Sequence, residues 1–313
     1  MGMSSINTNI SAMTALQSLQ QTAKDMMSTQ QHISTGLKVA SASDNAAYWS
    51  IATTMRSDND ALSTVQDGLG LGKGTVDVAY NALNQSITLV SQIKQKLTAA
   101  AAPGVDRAKV QSEITQLQQQ LKGIAATANF SGQNWVSVDS SVSGYSATKS
   151  IVSSFARTSS GAVSIGTISV DTSKTVLFDA STTGGILDSQ RGTTGAIVTT
   201  GGTSVMNIDI STLTDSATDR QTLTQYIAGV DSAFQEMTKA ATNLGAAQTR
   251  ISLQTSFISS LRDTITTGVS QLVDADMNQE STKLQALQVK QQLGVQALSI
   301  ANQSSQSILS LFR

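Results

Sequence analysis

The sequence predicts a mainly α protein: a long antiparallel helical coiled-coil rod with paired terminal helices and a small β-rich insertion. Three observations predict it. Positions at alternating gaps of three and four run through Met55, Asp58, Leu62, Val65, Leu69, Gly72, Val76, Ala79, Leu83, Ser86, Val90, Ile93 and Leu97, most of them apolar, a sustained heptad pattern. A single proline, Pro103, and 4% aromatic residues favour long helices over compact β structure. Between the heptad-bearing segments lies a Ser/Thr/Gly-rich stretch, 138–210, with short Val/Ile runs.

Near the N-terminus, Leu16, Leu19, Ala23, Met26, Gln30, Ile33 and Leu37 alternate three and four and predict a first helix with few charges. The long heptad helix from 55 to 97 is broken by Pro103-Gly104. Asp106 is placed to cap a following helix that carries Val110, Ile114, Leu117, Leu121 and Ile124. The pattern returns at Leu223, Ile227, Val230, Phe234, Met237, Ala241 and Leu244, and continues through Ile251 and Ile258. These segments predict an antiparallel bundle. Its expected core includes Leu62, Val65, Leu69, Val76, Leu83, Val90, Leu117, Leu121, Ile227, Phe234, Leu244 and Ile251. In the insertion, Val163–Ile165, Ile168–Val170 and Val176–Phe178 read as short strands.

The C-terminal segment is the least ordinary. Residues 287–313 carry two ionisable side chains, Lys290 and Arg313. Leu287, Leu298, Ala301, Ile308 and Phe312 mark one apolar stripe; Leu293, Ala297, Ile300 and Leu311 mark another. A surface helix normally shows one such stripe and a charged opposite face. Two stripes on a nearly uncharged helix call for cover on several sides, which at a chain end suits other copies of the same chain.

Composition narrows the function classes. With 20 basic and 21 acidic residues the net charge is −1, which supports neither a nucleic-acid nor a membrane-surface partner. Charged residues are 13% of the chain, against roughly 25% in average soluble domains. Such a surface repels its own copies weakly. Cysteine is absent, so disulfides and thiolate metal sites are excluded. No apolar run approaches the ~18 residues of a membrane-spanning helix. No cleavable secretory signal is visible, which leaves export by another route open.

Three stretches carry a family resemblance. Ile33-Ser34-Thr35-Gly36-Leu37-Lys38-Val39, followed by Ala42-Ser43-Asp44-Asn45-Ala46-Ala47, resembles the N-terminal signature of bacterial flagellins, and Asn7-Thr8-Asn9 resembles their start. Ala297-Leu298-Ser299-Ile300-Ala301-Asn302 and Gln306–Arg313 resemble their C-terminal signature. Asp274-Ala275-Asp276 is similar to the family's hinge between rod and terminal helix. The short insertion is similar to flagellins of soil and plant-associated alphaproteobacteria.

The resemblance implies a structural subunit that self-polymerises into the extracellular flagellar filament and serves motility. It implies three parts: a terminal-helix coiled coil lining the filament channel (1–44 with 279–313), a helical rod (45–137 with 211–278), and an outward-facing variable insertion (138–210). The terminal helices are expected to order on assembly, through Ile6, Ile10, Leu16, Leu19, Met26, Ile33 and Leu37, and Leu287, Leu293, Leu298, Ile300, Ile308, Leu311 and Phe312. Implied partners are other flagellin subunits, possible sister flagellins included, the flagellar export apparatus, an export chaperone, and the filament cap and hook-junction proteins. O-linked sugars on the insertion also follow from the family. Members sensed by the vertebrate innate receptor carry Leu-Gln-Arg-x-Arg-Glu-Leu; the matching stretch here is Val90-Ser91-Gln92-Ile93-Lys94-Gln95-Lys96. The first arginine is lost at Gln92, the acidic residue at Gln95, and Lys96 replaces the last leucine, so the resemblance implies loss of that recognition.

Catalytic, cofactor and metal sites are not expected. His32 is the only histidine, whereas the zinc peptidase found in some insertions needs two with a Glu. Asp274 and Asp276 read as a cap or hinge rather than a carboxylate pair. Gly68–Gly74 superficially resembles a phosphate loop but lacks its Gly-Lys-Ser/Thr frame and sits inside the heptads. Two competing readings share helical ends and export: a hook–filament junction adaptor, and a type III secretion needle or translocator.

Overall fold

The computed structural model describes residues 9–158, 161–181 and 184–311. These form five α-helices, α1 (Ile10–Thr35), α2 (Ala46–Ala100), α3 (Arg107–Thr127), α4 (Ala217–Val273) and α5 (Met277–Leu311), with six strands between α3 and α4. Local chemistry sets the helix ends. Asn9 and Asp106 accept from the backbone N–H of Ala12 and Lys109 and so start α1 and α3. Asn45 and Asp276 do the same for α2 and α5 through Tyr48 and Asn278. Gly36, at φ 74°, ends α1 in the left-handed conformation, and its N–H donates to the His32 carbonyl. The buried Arg107 Nε donates to the Ala100 carbonyl at 3.1 Å, so the first side chain of α3 satisfies the end of α2.

The chain forms two compact units, Ala61–Leu261 and Met1–Asp60 with Arg262–Arg313. The insertion therefore falls in the same unit as α3 and the greater part of α2 and α4.

In the unit Ala61–Leu261, α2 and α4 run antiparallel. Lys94 Nζ meets Asp231 Oδ1 at 2.5 Å, and Gln248 Nε2 donates to Asp77 Oδ1 at 2.7 Å. Their core holds Leu62, Val65, Leu69, Val76, Leu83 and Val90 against Leu244 and Ile251, with Leu121 from α3, all buried. Three residues expected in that core, Leu117, Ile227 and Phe234, are only half-buried. The buried line on α4 steps instead through Val230, Ala233, Met237, Ala240, Leu244, Ala247 and Ile251. Small alanines take alternate positions, which permits close helix approach. On α3 the line is Ile114, Gln118, Leu121 and Ala125. Gln118 displaces Leu117 because its amide donates to the carbonyls of Val205 (2.9 Å) and Ile208 (3.3 Å).

The insertion starts with β1 (Asn129–Phe130) and β2 (Gln133–Asn134), joined at Ser131 and Gly132, whose φ values of 51° and 80° are those of a two-residue hairpin turn. Two-residue β3 (Ser137–Val138) and β6 (Phe178–Asp179) pair in parallel. The main element is an antiparallel hairpin of β4 (Thr148–Arg157) and β5 (Val163–Asp171), with a bulge between Val152 and Ser154. The expected strands at Val163–Ile165 and Ile168–Val170 are one strand, because Gly166 does not interrupt it. Gly166 lies opposite Ser154, whose Oγ would sit 2.2 Å from an added Cβ. Of Val176–Phe178, expected as a strand, only Phe178 enters β6, while Val176 and Leu177 are buried ahead of it.

Arg191 fastens the insertion to α4. Its buried guanidinium donates to Glu236 Oε1 (3.1 Å) and Oε2 (2.8 Å) and to the Ile186 carbonyl (2.9 Å). A bidentate carboxylate and carbonyl partners compensate the desolvation of this cation.

Candidate assembly surface

In the unit Met1–Asp60 with Arg262–Arg313, α1 and α5 pair antiparallel. Asn9 Nδ2 donates to the Ala301 carbonyl at 3.0 Å, and Leu19 packs on Gly294, where an added Cβ would lie 3.2 Å from Leu19 Cδ1. His32 Nδ1 lies 3.2 Å from Glu280 Oε1. The sole histidine thus pairs with a carboxylate across the helix pair.

The seam on α1 is Ala12, Ala15, Leu19, Thr22, Met26, Thr29 and Ile33, of which Thr22 and Thr29 are buried. Leu19, Met26 and Ile33 belong to the expected stripe, but Ala15, Thr22 and Thr29 stand where Leu16, Ala23 and Gln30 were expected. Thr22 Oγ1 satisfies itself by donating to the Ser18 carbonyl at 2.8 Å. On α5 the seam is Glu280, Leu284, Leu287, Gln291, Gly294, Leu298 and Ala301, spaced by fours and threes. Its polar members hid it from a search for apolar residues, although the spacing itself is visible.

Each helix keeps a second apolar face in solvent. On α1 it comprises Ile10 (64% exposed), Met13, Leu16 and Met27; on α5 it comprises Val289, Leu293 and Ile300 (66% exposed). Of the two stripes expected on the C-terminal helix, Leu287, Leu298 and Ala301 face α1, while Leu293, Ala297 and Ile300 are exposed. Ile6 and Phe312 lie outside the described residues, as do the side chains of Ile308 and Leu311.

The signature loop and the hinge meet. Lys38 N–H donates to the Val273 carbonyl at 2.8 Å and Ala275 N–H to the Gly36 carbonyl at 2.9 Å, so Leu37 bridges Asp274. Below the bridge Val39, Ala52, Val269 and Val273 form a buried cluster flanked by half-buried Leu37 and Met55. Asp44 accepts from the N–H and hydroxyl of Ser41 and from the N–H of Ala40, bonds that hold its carboxyl below the usual carboxylate range.

Along the stretch matching the receptor motif, Gln92 and Gln95 are exposed. Lys94 is held by Asp231 and Lys96 by Glu113. Among the described residues no group of three His, Cys, Asp or Glu is placed to hold a metal ion, and no helix is long and apolar enough to cross a membrane.

The arrangement is thus a closed α1–α5 seam with an open apolar face on each helix. Residues 6–141 match the bacterial flagellin N-terminal helical region and residues 227–312 the bacterial flagellin C-terminal helical region. The chain is 43% identical to Flagellin A of Rhizobium meliloti (strain 1021), 45% to Flagellin C of the same strain and 44% to a flagellin of Brucella melitensis biotype 1. Each comparison covers 99% of this chain and 100% of the relative. The chain belongs to the bacterial flagellin family and is a structural subunit of the extracellular flagellar filament.

Proposed function

We propose that the subunit polymerises through the open faces of α1 and α5, which line the filament channel and order when neighbouring copies cover them. One observation carries this reading: the α1–α5 seam is closed within one copy, yet Ile10, Leu293 and Ile300 remain in solvent. Burying an aliphatic side chain of this size stabilises by about 1.5–3 kcal/mol. Before assembly, ordering these helices costs ~1–2 kcal/mol per residue without that return. A chain loosely ordered at its ends also suits passage through a narrow export channel. The export apparatus, a chaperone that shields α5, the filament cap, the hook-junction proteins and sister flagellins are the partners of this reading. The insertion, 138–210, faces outward, 45–137 with 211–278 forms the wall, and the terminal segments 1–44 and 279–313 form the inner tube. The chain itself performs no catalysis. The innate receptor does not engage Gln92–Lys96, whose lysines are occupied by Asp231 and Glu113.

Electron microscopy of purified monomer seeded with short filament fragments tests the reading. Long filaments are expected from the full chain and none from Leu293→Lys/Ile300→Lys. Seeds that are capped but do not grow would instead mark a junction adaptor.

A further inference from the structure

The outer faces of α2 and α4 in the unit Ala61–Leu261 carry a second, oppositely charged pair of surfaces. On α2, Asp67 and Leu71 lie four residues apart on one face, both exposed. On α4, Arg250, Leu253 and Phe257 follow at gaps of three and four, all exposed, with Leu253 at 66% and Phe257 at 60%. Among the described residues neither Asp67 nor Arg250 makes an ion pair. Asp171 lines the same hollow as Arg250, but its carboxylate accepts from Ser173.

The glycines of α2 supply an independent observation. A glycine within a helix destabilises it relative to alanine. Two of these glycines have a reason inside the chain: a Cβ on Gly72 would meet Ile151 at 2.5 Å, and one on Gly74 would meet the Phe130 ring at 2.6 Å. Gly68 and Gly70 have none, since nothing lies within 4 Å of an added Cβ at either. They border the Asp67–Leu71 face and leave its backbone open to close approach from outside.

We infer that the Asp67–Leu71 face of α2 receives the Arg250–Leu253–Phe257 face of α4 from a second copy of this chain. The anion meets the cation, Leu71 meets the apolar pair, and Gly68 and Gly70 admit the incoming helix. Because the two faces differ, the contact is heterologous and repeats without closing, as a filament requires. The inference rests on the filament reading and adds to it a lateral contact remote in sequence from the terminal helices.

Charge reversal tests it on the full chain, with seeded monomer and the critical concentration for elongation as readout. Arg250→Asp alone and Asp67→Arg alone each place like charges in the contact and raise the critical concentration by about tenfold or more. The double variant Arg250→Asp/Asp67→Arg restores the attraction with the signs exchanged and returns the critical concentration to within about threefold of wild type. Circular dichroism and thermal unfolding of each monomer, unchanged from wild type, exclude misfolding as the cause. Single variants that elongate like wild type, or a double variant no better than the singles, overturn the contact while leaving the filament reading intact. Failure of the wild-type chain to elongate overturns both.

Discussion

The same substitution four residues apart on α2 is expected to stabilise at one site and not at the other. Gly68→Ala adds a methyl group into open space, so only backbone propensity acts, and the monomer gains up to about 1 kcal/mol. Gly72→Ala gains the same propensity but drives the methyl to 2.5 Å, 2.8 Å and 3.0 Å from three carbons of the Ile151 side chain. Ile151 is 6% exposed and locked in the β4–β5 hairpin, so it has little room to retreat. Overpacking of this kind costs about 1–3 kcal/mol, which leaves a net loss of about 0–2 kcal/mol. For a unit of this size 1 kcal/mol moves Tm by about 2–4 °C. Thermal unfolding of the monomer, followed at the helical circular dichroism band, should show Gly68→Ala a few degrees above wild type and Gly72→Ala level with it or a few degrees below. Equal stabilisation by both would refute the claim that the hairpin rests on Gly72. The inferred lateral contact adds a second readout: Gly68→Ala should stabilise the monomer while weakening elongation.

Glu236→Ala strips the buried Arg191 guanidinium of its only carboxylate partner among the described contacts and should destabilise the insertion by about 3 kcal/mol, read by urea unfolding and by faster proteolysis within 180–210. His32→Ala leaves the Glu280 carboxylate, 13% exposed, with Lys283 Nζ at 3.9 Å as its one remaining ion-pair partner among the described residues. It should loosen the α1–α5 pair and speed hydrogen exchange along both helices. The carboxyl of Asp215 is held below its ordinary value by hydrogen bonds from Arg107 and from the Gly104 N–H. A depressed carboxyl contributes stability fully present above the unfolded-state value of 3.8 and lost as pH falls through the folded-state value. Asp215→Asn should therefore flatten that part of the acid-unfolding curve below about pH 4, and an unchanged acid limb would count against the Arg107 pairing.

Much of the fold is legible in one dimension because its signals are local. Pro103-Gly104, the Asp106 cap and the Gly36 stop act within a turn of where they stand, and each helix end falls beside them. The β4 strand, Thr148–Arg157, is hard to read in sequence because serines and a lysine dilute its alternation, and Gly166 falls between the two short runs that make up β5. Its role as the residue facing Ser154 depends on a partner strand that sequence alone does not supply. Arg191 likewise gives no local sign that its guanidinium is buried against a helix forty-odd residues later.

The heptads mark the division most clearly. By itself the sequence determined that the chain is helical at both ends and in the bundle, that its terminal helices have apolar residue to spare, and that its signatures are those of a flagellin. The tertiary structure alone decided which of two overlapping frames forms each seam. Frames offset by one residue share every other position, so Leu19, Met26 and Ile33 fit both, as do Val230, Met237 and Leu244. The contested positions went to Ala15, Thr22 and Thr29 on α1 and to Ala233, Ala240 and Ala247 on α4, rather than to Leu16 or Phe234. Hydrophobicity favours the larger residue at each site, but the distance between helix axes depends on the side chains at the contact. Only the opposing helix, with Gly294 under Leu19 in one pair, reveals that a close seam of small residues leaves the larger ones outside for the next copy.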